Sequence, residues 1–162
     1  VLQIRANVFE TNSSSTHTLN ISKRPVDDMP GHIDFHLGEF GWDFDDANFA
    51  DYLYTAIMDL DSEFNEERHE KAKERLNKIR SLLDKYGVTY TFEKPRDNMW
   101  FYIDHSETLE REGTLDKILD DEDLLMRALM RPESVIHMGN DNSETEVGCE
   151  NEDDFDVFDK RN

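Results

Sequence analysis

The sequence predicts an α+β domain: a small, mostly antiparallel sheet packed by two or three helices. Three observations predict it. Short stretches near both ends and in the middle alternate apolar with polar residues, the period of a strand with one face in a core. Two longer stretches repeat their apolar residues every three to four positions, the period of an amphipathic helix. The 162 residues suit one domain, and 10% aromatic residues are too many for a chain that stays unfolded. Composition shifts after residue 139. The domain is therefore read as residues 1–139, and 140–162 as an acidic tail, partly disordered or docked through Phe155 and Phe158.

Residues 2–9 read as a strand, with Leu2, Ile4, Ala6 and Val8 alternating against Gln3, Arg5 and Asn7. Residues 11–17 are too polar for a core strand and read as a loop or turn. Leu19 and Ile21 begin a short second strand, and Pro25, Pro30 and Gly31 punctuate the loop after it. Over residues 32–40 the alternation returns: Ile33, Phe35 and Leu37 point one way, His32, Asp34 and His36 the other. Asp43, Asp45 and Asp46 form an acidic approach suited to the positive end of a helix dipole. The helix itself spans 48–60, with Phe49, Leu53, Ala56, Ile57 and Leu60 on one face.

The clearest helix covers about residues 63–86, with Ser62 as its N-cap. Early acids (Glu63, Glu66, Glu67) precede later bases (Lys71, Lys73, Arg75, Lys78, Arg80), in keeping with the helix dipole. Ala72, Leu76, Ile79, Leu83 and Tyr86 form a narrow apolar stripe, and Gly87 ends the helix. A hairpin is predicted next: Val88, Tyr90 and Phe92 lead out, residues 95–98 turn, and 99–104 return. Residues 114–130 form a further helical stretch, broken near Asp120 and ended by Pro132. Its core face is Leu115, Ile118, Leu119, Leu125, Ala128 and Leu129. Residues 134–138 make a last short strand, closed by Gly139.

Charge limits the function classes. Thirty-eight acids against 18 bases leave a net charge of -20. Nucleic-acid binding draws on Lys and Arg to displace counterions from phosphates, so ordinary phosphate contacts are excluded. The same field attracts basic protein surfaces. The acids placed to face such a partner are Asp43, Asp45 and Asp46, then Asp120, Asp121, Glu122 and Asp123, then Glu150, Glu152, Asp153, Asp154 and Asp156. Acidity also serves plain solubility. The single cysteine, Cys149, allows no internal disulfide and suits a reducing cytoplasm. No apolar run approaches the roughly 20 residues that span a bilayer. The first five residues lack the apolar core of a secretory signal.

Three constellations have chemical content. In residues 11–17, Asn12, Ser13, Ser14, Ser15 and His17 gather hydroxyls at a strand end, where they can cradle an anion or set a serine beside a histidine base. A turn held by side chain to backbone bonds explains the same residues. His32, Asp34 and His36 share one strand face and have the donor types of a divalent-metal site, a pattern that an ordinary half-exposed strand also produces. Asn140, Asp141 and Asn142 follow the last strand and suit a tight turn or a ligand contact. For catalysis the candidates are Ser14, His17 and Asp141, without the glycine-flanked serine elbow of a hydrolase. No phosphate-binding glycine loop or calcium-loop spacing occurs, and no cofactor is expected.

The stretches 9–17 (Phe-Glu-Thr-Asn-Ser-Ser-Ser-Thr-His) and 134–142 (Ser-Val-Ile-His-Met-Gly-Asn-Asp-Asn) resemble a family of small bacteriophage-encoded proteins. The resemblance implies a phage or prophage product in a bacterial cytoplasm, and that the two polar segments meet at one end of a shared sheet. No catalytic role carries over from it. Three functional readings follow. The first is a binding protein that engages a basic surface of a host protein, as a nucleic-acid-mimicking inhibitor of a nuclease, polymerase or defence complex would. The second is a structural or accessory phage protein that self-associates, with the stripe on the 63–86 helix as its interface. The third is a small enzyme or ligand-binding protein using residues 13–17 with Asn140, Asp141 and Asn142.

Overall fold

A computed structural model describes residues 15–41, 46–61, 65–140 and 153–160. In chain order, strands β1 (Ser15–Ser22), β2 (His32–Phe35), β3 (Glu39–Phe40) and β4 (Asp46–Asn48) precede helices α1 (Phe49–Asp61) and α2 (Glu66–Lys85). Then come β5 (Thr89–Phe92), β6 (Tyr102–Ile103), α3 (Ser106–Glu112), α4 (Thr114–Asp120), α5 (Glu122–Met130), β7 (Val135–Asn140) and β8 (Phe155–Lys160). The expected α+β class is what forms. The predicted strand over 2–9, Ser62, Asp43 and Asp45 lie outside the described residues.

The main sheet has the order β4-β7-β1-β8, antiparallel throughout. β1 is one of its two central strands, and this overturns the described part of the loop predicted over 11–17: Ser15, Thr16 and His17 are strand residues, and all of β1 except Thr16 is buried. Polarity misled because the strand's polar groups find partners inside the protein. Ser134 Oγ accepts from Ser22 N at 3.0 Å, and Asn20 Nδ2 donates to Thr18 O at 3.4 Å. β7 runs on through Gly139 and Asn140, where a turn was predicted. It places Asn140 opposite Ser15 and Gly139 opposite Thr16. Among the described residues, Ser15, Thr16 and His17 stand opposite Asn140, Gly139 and Met138.

β8 belongs to the sheet, so residues 155–160 are not a solvated tail. Arg127 on α5 fastens it: its Nη1 donates to Asp156 Oδ2 at 2.9 Å and to Ser22 O at 2.7 Å. Phe158 packs against the core.

Asn48 caps α1. Its Oδ1 accepts from Asp51 N at 2.9 Å, and its Nδ2 donates to the Asp51 carboxylate at 2.8 Å, a side-chain bond that holds the cap in place. Asp46 is therefore a residue of strand β4, not part of a helix approach. The predicted face of α1 is buried, and Tyr52, Tyr54 and Thr55 are buried as well, so α1 is a core helix rather than a surface one. The N-cap of α2 is Asn65, whose Oδ1 accepts from Glu67 N at 3.0 Å. Ala72, Ile79 and Leu83 of the predicted stripe are buried within the chain, and Leu76 and Tyr86 pack partly buried against the same core. Gly87, at φ 69°, ends the helix as expected.

The predicted hairpin does not form. β5 pairs in parallel with β2, and β6 in parallel with β3. The stretch 31–40 thus runs beside 89–104, and Glu93 N donates to Phe35 O at 2.9 Å beyond the end of β5. Aromatic packing favours this pairing over a local one: Phe35 stacks on Phe92 with centroids 4.6 Å apart, and Tyr54 meets both rings. α4 and α5 realise the predicted broken helix. Asp121 closes the first and caps the second, its Oδ1 accepting from Leu124 N at 3.0 Å. α3 was not foreseen; its seven residues carry only two buried side chains, too few to mark a face.

Candidate functional site

Strand geometry alone places Ser15, His17 and Leu19 on one face of β1. Met138 of β7 and Lys160 of β8 stand opposite His17 in register. α1 brings Tyr52 against this face, and the end of β3 brings the Gly41 carbonyl. His17 Nε2 lies 3.0 Å from Gly41 O and Nδ1 lies 2.7 Å from Tyr52 Oη. A carbonyl only accepts, so Nε2 carries the proton. Nδ1 then accepts from the Tyr52 hydroxyl, and the imidazole is neutral. Burial, reinforced by the Lys160 ammonium, pushes the His17 pKa down to about 4 against the Gly41 carbonyl and Asp104. Burial likewise raises the Tyr52 phenol well above its ordinary value.

Lys160 is buried too, and its Nζ donates to Ser15 Oγ at 2.7 Å and Ser15 O at 3.1 Å. Burial pushes its pKa down to about 8, with Asp104 and Glu107 opposing. Among the described residues no carboxylate lies within ion-pair distance of this ammonium. Asp104 has a buried Oδ2 without a hydrogen-bond partner. A lysine with a depressed pKa on a serine hydroxyl has the composition of a nucleophile and its base. Ser15, His17 and Lys160 are nonetheless all 0% exposed. A cavity of about 500 Å³ between α2 and α4–α5, lined by Lys78, Lys85, Asp120 and Glu122, lies elsewhere. So does a groove of about 320 Å³ beside His32 and Met130. As it stands, the cluster's hydrogen bonds are spent on orienting its own members.

Of the residues predicted for this site, Ser15 and His17 come together, with Asn140 in register beside Ser15. Asn12, Ser13, Ser14, Asp141 and Asn142 lie outside the described residues. Sequence reasoning missed Lys160, Tyr52 and Asp104. The signal for Lys160 was its position two residues after Phe158, on the strand face that Phe158 turns to the core.

His32 and Asp34 share the exposed face of β2 as expected, but His36 lies beyond the strand and does not join them. His32 is held by Thr89 Oγ1 at 2.7 Å and Asp34 Oδ1 at 3.0 Å, while His36 turns toward Glu93. Among the described residues no group of three His, Cys, Asp or Glu is arranged to hold a metal ion.

The acids placed to face a partner are mostly engaged internally, because they stand against cations of neighbouring elements. Lys78 pairs with Asp120, Lys85 with Glu122 at 2.6 Å, and Arg127 with Asp123 at 2.8 Å as well as with Asp156. Asp121 is a helix cap, and Asp46 meets His137. Asp153 and Asp154 are exposed in the turn before β8. Glu150 and Glu152 lie outside the described residues. α2 directs a ladder of cations at α3 and α4. Arg75, 2% exposed by its side chain, binds Glu110 and Asp116, and Lys71 reaches the same two carboxylates.

Among the described residues no helix is long and apolar enough to cross a membrane. No protein-family model, curated protein or solved structure matches this chain.

Proposed function

We propose that this is an acidic binding protein that engages a basic surface of another protein, presenting carboxylates where that surface would otherwise meet nucleic-acid phosphate. In the phage setting that the terminal segments resemble, the partner is a nuclease, polymerase or defence protein of the bacterial host. One observation carries the reading: a net charge of -20, with 38 acids against 18 bases. Lys71, Arg75, Lys78, Lys85 and Arg127 spend their charge on acids of the same chain, so the outward field is that of the surplus carboxylates. Such a field speeds encounter with a cationic face and weakens as salt shortens its range. The Asp120–Asp123 block is no longer the preferred face, because its members are paired or capping.

The test is retention of host proteins on the immobilised chain at low and high salt, with duplex DNA as competitor. Basic nucleic-acid-binding proteins that are retained at low salt, released by salt and displaced by DNA support the reading. A lysate that yields none of them sinks it.

A second reading rests on the contact between Lys160 and Ser15. A lysine with a lowered pKa on a serine, near the partnerless Asp104 Oδ2, is the polar inventory of a ligand site or small enzyme that opens at the 15/140/160 end of the sheet. Ligands of the native state raise the unfolding midpoint. A panel of nucleotides, sugar phosphates and divalent ions that leaves the midpoint unmoved counts against it.

A further inference from the structure

Trp100 is 79% exposed, an unusual position for the side chain with the largest apolar area. Trp100 lies two residues before β6, and exposure alternates from there: Trp100 and Tyr102, 38% exposed, face solvent, while the half-buried Phe101 packs against the core and Ile103 turns into it at 2% exposure. β3 places the exposed Glu39 directly opposite Tyr102. Glu39 and Tyr102 are thus paired across one small sheet, with the exposed Trp100 two residues along the chain. The cation in the preceding turn, Arg96, is held by Glu93 at 2.7 Å.

We propose that Trp100, Tyr102 and Glu39 form the docking patch for an arginine side chain on the basic partner, the guanidinium stacking on the indole and phenol while Glu39 pairs with it. This rests on the acidic-binding reading and names its contact point. Three features select this occupant. The aromatic rings offer negative π-faces to a cation, the indole best of all. A planar guanidinium both stacks on a ring and pairs in two-pronged fashion with a carboxylate, which an ammonium cannot do. The chain's net charge of -20 complements a cationic face, and exposed Trp and Tyr are the side chains on which binding energy concentrates.

The experiment compares labelled deca-arginine and deca-lysine peptides by fluorescence anisotropy on the full chain, with Trp100→Ala, Tyr102→Ala and Glu39→Gln. Wild type is expected to prefer deca-arginine by about fivefold or more, the scale of a stacked guanidinium. Trp100→Ala is expected to erase the preference and to leave deca-lysine binding within about twofold. Its circular dichroism stays that of wild type, since the ring supports little of the core. A Trp100→Ala protein that keeps the arginine preference overturns the patch. So does equal, salt-sensitive binding of both peptides by wild type, an outcome that leaves the acidic-binding reading standing. Binding of neither peptide at low salt removes both. Loss of self-association in Trp100→Ala, seen by light scattering without any arginine preference, assigns the patch to a second copy of the chain and overturns the arginine assignment.

Discussion

The Lys160 ammonium stands 2.7 Å from the Ser15 hydroxyl, joining the last described strand to the first across 145 positions of sequence. It is held there with its charge largely desolvated, which makes its contribution to stability depend on pH. The folded pKa is about 8 against 10.5 for a free lysine. Between those values the unfolded chain binds more protons than the folded one, so stability rises with pH across the window. Lys160→Met removes that rise. It also removes a buried charge at similar volume, so its stability at pH 7 is expected within about 1 kcal/mol of wild type or above it. Thermal melts between pH 7 and 10.5 check both points, and a melt of the variant that still climbs above pH 8 contradicts the assignment.

His17 governs the acid side. Its folded pKa is about 4 and its ordinary value 6.5. In that interval the unfolded state takes up the proton that the folded state refuses, so stability falls as the solution is acidified from 6.5 toward 4. At 1.36 kcal/mol per pKa unit the loss amounts to about 3 kcal/mol. His17→Gln has no proton to gain and is expected to flatten this part of the profile, read as urea midpoints at pH 7, 5.5 and 4.5.

Arg75 is buried between two carboxylates on α3 and α4. Arg75→Met leaves Glu110 and Asp116 to repel each other, with Lys71 still in reach of both. The expected cost is about 3 kcal/mol at neutral pH, the scale for breaking a buried pair by removing one partner. The loss shrinks in acid. Burial opposes the Asp116 charge, but Arg75 and Lys71 hold its carboxyl below the ordinary aspartate range, so this stabilisation is present above that range and disappears as pH falls through the folded value. A variant equally destabilised at pH 7 and pH 3 would show that packing, not charge, is what Arg75 supplies.

Asn65 accepts from the Glu67 and Arg68 amides at the start of α2. Asn65→Ala is expected to lower stability by about 1 kcal/mol and Asn65→Gly by only a few tenths, the ordering of an N-cap. Equal losses in the two variants, measured by urea unfolding, would point to some other cause.

The sequence by itself determined what depends on neighbours within a few positions. The apolar period of residues 48–60 and 66–85 carries α1 and α2, Gly87 stops the second helix, and alternation sets Ile33 and Phe35 inward with His32 and Asp34 outward. The break at Asp121 is local too, since one carboxylate ends a helix and caps the next. Only the tertiary structure decided strand partners, because ladder bonds join backbone groups that every residue carries. β5 therefore joined β2 rather than turning back on itself, where Phe35 and Phe92 could stack. The same holds for the candidate site. Ser15 and His17 look like loop residues until Gly41, Tyr52 and Lys160 arrive from 24, 35 and 145 positions away to satisfy them. A polar side chain is cheap to bury only once such partners are in place, and no local pattern in the chain says where they will come from.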